Sequence, residues 1–88
     1  MPRFKKRPLI IEAVQWTGNN IDEIWETFGA AGIYGPSELN PDYLLLTTPD
    51  GFQTPCRINE WVVQNTKPDT FHAVDPKLME AKYIRLVD

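Results

Sequence analysis

The sequence predicts an α+β domain in which one N-terminal amphipathic helix packs on a curled, mostly antiparallel sheet of about five to six short strands. Three observations carry this. Ile21, Ile24, Trp25 and Phe28 recur at the spacing of a single helical face. After them come short runs rich in β-branched and aromatic residues, divided by Pro, Gly, Asn and Asp. Pro49-Asp50-Gly51 is a strong hairpin turn, with Pro preset for the second turn position and Gly free to take positive φ. A helix followed by closely spaced strands is the pattern of a layered α+β fold.

The first strand runs from Leu9 to Trp16. Apolar residues occur on both of its faces, which fits a central or covered position. Thr17-Gly18-Asn19 turns into the helix. Asn20 is placed to cap it, and Glu23 stands where a capping-box carboxylate reaches back. Asp22 and Glu23 put negative charge at the positive end of the helix dipole. Gly29 supplies the stop. A helix of two to three turns is too short to stand alone in water, so its apolar stripe must dock on the sheet.

Residues 30–42 hold two further Gly and two Pro and read as an ordered surface loop, with Ile33-Tyr34 a short extended piece. Segments 43–48 and 52–58 form the hairpin around Pro49-Asp50-Gly51. Pro55 cannot donate to a ladder, so its strand is an edge or carries a bulge. Asn59-Glu60 turns the chain into a strand over 61–65, and Thr66–Asp69 turns it into another over 70–74. Asp75-Pro76 opens a single helical turn. Tyr83–Val87 alternates and reads as a last strand. The large rings of Trp16, Trp25, Trp61, Phe28 and Phe71 are the expected core, since so small a chain needs them inside.

Eighty-eight residues make one domain, 1–88, with a basic lead over 1–7. Arg3, Lys5, Lys6 and Arg7 hold four of the nine basic residues. The rest of the chain carries five basic against twelve acidic residues, a formal charge of −7. Such a body argues against broad contact with a phosphate backbone, so no nucleic-acid partner is expected apart from contact through the basic lead. One Cys and one His exclude a cysteine-based metal site within the chain and make structural zinc implausible. No signal peptide or membrane span is read, and no cofactor motif is present.

No catalytic constellation is legible. Cys56 lies mid-strand after a Pro, where it reads as a small packed side chain instead of an activated nucleophile. The carboxylates are accounted for by caps, turns and solvated faces. Glu12 is the exception, within an apolar strand, and Arg57 or Lys82 could pair with it. Binding candidates are Tyr34 in the long loop, Phe52 directly after the hairpin turn, Arg57, and His72, which would titrate near neutral pH if exposed. Aromatics beside an Arg can stack on a nucleobase or anchor a protein contact.

The block Lys6-Arg-Pro-Leu-Ile-Ile-Glu-Ala-Val-Gln-Trp-Thr-Gly-Asn-Asn20 resembles the front of a family of small uncharacterised proteins encoded by tailed phages and prophages. Thr47–Gly51, Ile58–Val63 and Phe71–Tyr83 are similar to later parts of that family, so the resemblance spans nearly the whole chain. Asn59-Glu60 stands where the family has Gly-Asp, and His72 where Tyr is common. The resemblance implies an accessory protein of the host cytoplasm and brings no activity with it. The expected function is a non-enzymatic binding module docking on a host or virion protein. The alternative is a small-ligand binder that sequesters a nucleotide-type molecule, with homo-oligomers compatible with either.

Overall fold

The computed structural model describes residues 11–82. The basic lead over 1–7, the start of the first strand and the strand expected over Tyr83–Val87 lie outside the described residues. Within them, β1 (Ala13–Gln15) precedes helix α1 (Ile21–Phe28), and four strands follow: β2 (Ile33–Tyr34), β3 (Tyr43–Thr47), β4 (Gln53–Arg57) and β5 (Trp61–Gln64). The series ends with β6 (Phe71–Val74) and helix α2 (Pro76–Lys82). The fold is α+β, but the expectation of a single helix is corrected. The turn opened at Asp75 runs on for seven residues, and Asp75 Oδ1 accepts the Lys77 amide 2.8 Å away.

The sheet is also divided. β1-β5-β6 and β2-β3-β4 are separate three-stranded antiparallel sheets. Their inner faces meet in one core. Trp16, Val62 and Phe71 come from the first sheet's side, and Ile33, Leu44, Leu46 and Cys56 from the second. Ile24 of α1 is fully buried among them, with Ile21, Trp25 and Phe28 packed against the cluster as the stripe requires. Phe28 meets Phe71 edge-on, ring centroids 5.4 Å apart, an arrangement favoured by the ring quadrupoles.

Three sheet edges are closed by different devices. Of the two positions expected for β1, central or covered, the central one is corrected: among the described residues it is the edge strand beside β5, with all three of its residues half-buried. The Asn20 amide covers part of that edge, donating to the Gln15 carbonyl at 2.8 Å and to Glu23 Oε1 at 2.9 Å. Asn20 Oδ1 accepts the Thr17 amide, so the side chain faces back along the chain and does not cap α1. On β2, the outward carbonyl of Ile33 accepts the Trp25 indole N–H at 3.2 Å. On β4, Thr48 N–H reaches the Phe52 carbonyl, and the two-residue alternation then points Pro55 away from β3. Its missing N–H therefore costs no ladder bond, as the edge reading required. Capped edges of this kind discourage strand addition.

Candidate functional site

The β2-β3-β4 sheet has an inner and an outer face, and the register assigns each side chain. Leu44 and Leu46 are buried, so Leu45 between them must point outward. Tyr34 pairs with Leu45, and Leu45 with Pro55, giving one cross-strand row. Beside it, in the same outward phase, lie Tyr43 opposite Arg57 and Thr47 opposite Gln53. Tyr34 is 50% exposed and Leu45 36%. The face is therefore apolar along its middle, with one cation at one end and no carboxylate among these registered positions. Arg57 is anchored through its backbone: its N–H donates to Glu60 Oε1 at 2.8 Å, and its carbonyl accepts the Glu60 N–H at 3.0 Å.

Two of the four sequence candidates thus share a surface, Tyr34 and Arg57. The other two stand apart. Phe52 sits at the hairpin turn and is 71% exposed, but it is one residue out of phase with Gln53 and so belongs to the opposite side of the sheet. His72 is on β6 of the other sheet, opposite Val63, with Nδ1 2.6 Å from Asn65 Oδ1. Leu45, Pro55 and Tyr43 were missed as members of the face. The signal lay in the three consecutive leucines 44–46, since a strand cannot bury three successive side chains on one face.

Trp61 is a correction to the expected core. Val62 is fully buried on the inner face, so its neighbour turns to the other side, half-buried across from Gln15. There it helps line an open recess of about 270 Å³ along β1 with Ala13, Gln15, Thr17, Asn20 and Glu23. The polar groups of this recess already satisfy one another. Gln15 Nε2 donates to the Asn59 carbonyl, and Thr17 Oγ1 to Asn19 Oδ1, beside the Asn20 bonds above. Convergent but unspent donors would mark a ligand site; these are committed to the fold.

Cys56 is buried, with its thiol 3.8 Å from the Glu60 carbonyl. Burial, with a smaller push from the Glu60 charge, raises its pKa from 9.0 to about 12. A thiol held protonated is a poor nucleophile. The folded protein should therefore resist a disulfide-exchange reagent at pH 8, while the urea-unfolded chain reacts at once; rapid reaction of folded protein would contradict the buried placement. Because the folded state keeps the proton more tightly, this contribution to stability is intact below about pH 9 and drains as pH climbs towards 12.

Among the described residues no group of three or more His, Cys, Asp or Glu side chains could hold a metal ion. No described helix is long and apolar enough to cross a membrane. Compared with protein-family models, curated proteins and solved structures, the chain finds no match.

Proposed function

We propose that the protein is a non-enzymatic binding module that docks on another protein through the outer face of β2-β3-β4. The carrying observation is the Tyr34–Leu45–Pro55 row, three apolar side chains brought side by side on a solvent-facing sheet. Isolated surface apolar residues are ordinary; a contiguous strip is the kind of surface that protein contacts use. Its rigid backing supports the same reading, because the leucines on either side of Leu45 are locked in the core. The closed edges favour contact through side chains over strand addition. The front-block resemblance suggests the setting, a phage accessory protein with a host or virion partner in the host cytoplasm.

A nucleotide-type ligand would need Arg57, an aromatic and loop 30–42 gathered round one pocket. The recess along β1 has an aromatic in Trp61 but neither Arg57 nor any residue of 30–42, so the protein-docking reading is preferred. Replacing Tyr34 and Leu45 together by Thr keeps strand-compatible β-branched residues and removes the apolar contact. Capture from a lysate of phage-bearing bacteria should yield a protein that the double variant loses and Phe52→Ala retains, with both variants melting near the parent. Equal capture by all three proteins, or a co-purifying nucleotide with no protein, would overturn the proposal.

A further inference from the structure

Resting on that docking face, we infer the chemistry of its partner: a protein segment that sets a carboxylate beside apolar side chains. The observation is charge placement. Twelve Asp and Glu are spread over the chain, yet none occupies the outward positions 34, 43, 45, 47, 53, 55 and 57. Arg57 stands there instead, exposed, at the end of the apolar row and next to Tyr43. The short Arg57–Glu60 turn fixes the backbone beneath it, with the Glu60 carboxylate spent on the Arg57 amide. Among the described residues the guanidinium makes no ion pair. Holding the main chain while leaving the planar donor fork open presents Arg57 for bidentate capture of a carboxylate.

The apolar row and the cation divide the work. Tyr34, Leu45 and Pro55 supply area, and a ring and a Pro lose little side-chain freedom on contact. Arg57 at the rim chooses among partners and sets register more than it adds affinity. An acidic body would otherwise repel a carboxylate-bearing segment, so a face whose outward strand positions carry no carboxylate is where such a segment could approach. A segment carrying Lys or Arg at that point would meet like charge and be refused.

The test is selection from a displayed library of random twelve-residue peptides with the full-length protein as bait. Enriched peptides should carry Asp or Glu within two or three positions of an apolar residue. Their affinity should fall about five- to tenfold in Arg57→Gln, fall by a smaller factor in Arg57→Lys, which keeps the charge but not the fork, and weaken as salt is raised. Enriched peptides without acidic residues, or binding unchanged in Arg57→Gln, would overturn the inferred chemistry. If such peptides are still lost with the Tyr34→Thr, Leu45→Thr double variant, the docking face itself stands. Peptides indifferent to both sets of changes, or no enrichment at all, would overturn face and partner together.

Discussion

Trp16→Ala is expected to lower the free energy of unfolding by roughly 3–5 kcal/mol, the range for truncating a buried aromatic side chain. Trp16 is 0% exposed and is tied into the structure by side chain and backbone alike. Its indole N–H donates to the Asp42 carbonyl at 3.1 Å. Its amide donates to the Glu60 carbonyl at 2.9 Å, and its carbonyl accepts the Asn59 amide. The side chain thus links the first sheet to the entry of β3, and its loss leaves both a cavity and an unpaired carbonyl. For a domain whose whole stability is of the order of 5–10 kcal/mol, much of the native population would be lost. Trp16→Phe separates the two effects, because it keeps most of the volume and drops the indole bond; about 1–2 kcal/mol should go. Urea unfolding followed by far-UV circular dichroism measures both, and a parental midpoint for the Ala variant would refute the placement of this ring.

Gly32→Ala should cost roughly 3 kcal/mol, although it adds one methyl group. Gly32 has φ +85°, and a Cβ there would run into the Asp69 carbonyl oxygen and stand 3.0 Å from the Phe71 ring. Neither neighbour yields easily. Asp69 itself holds a positive φ of 61°, and Phe71 is fully buried. Gly29 provides the matched control: it has the same φ, with nothing within 4 Å of the added atom. Gly29→Ala should therefore lose only the backbone part, about 1–3 kcal/mol, and less than Gly32→Ala. The difference between the two measures how tightly the start of β2 is pressed against the turn before β6. Equal losses would mean that this approach is looser than described.

Sequence reasoning reached furthest where local rules decide alone. The stripe of α1, its stop at Gly29, the hairpin at Pro49-Asp50-Gly51 and the edge role of Pro55 each depend on a few neighbouring residues. Where two outcomes were locally equivalent, it chose wrongly or not at all. Asn20 could cap forward or bond backward, and a free Gln15 carbonyl at the sheet edge drew its amide back. Trp61 sits in an apolar run where both phases are buried, Val62 and Val63 alike, so only the place of Val62 in the central cluster, which Val63 does not join, settles which way the ring points. The division into two sheets depends on pairings remote in sequence, about which local periodicity is silent. The candidate site was half legible. Tyr34 and Arg57 stood out by chemistry, but Leu45 and Pro55 become a surface only once the register is known. Arg57 also explains why Asn-Glu serves at 59–60. Asn59 takes φ 79°, a conformation Asn tolerates better than most residues, and the Glu60 side chain closes the turn.

The pairing of β1 with β5 has a consequence for assembly. β3 with β4, and β5 with β6, are neighbours along the chain and can zip locally, whereas Gln15 meets Trp61 only after everything between them has been made. Closing so long a loop costs entropy that is recovered only when the distant strand arrives. A nascent chain therefore holds Trp16 without its Glu60 and Asn59 partners until the second half emerges. No cut between the two sheets leaves a self-sufficient piece, because the front strand belongs to the rear sheet. Strands far apart along the chain thus close the fold last, and any attempt to shorten it must keep both β1 and β5.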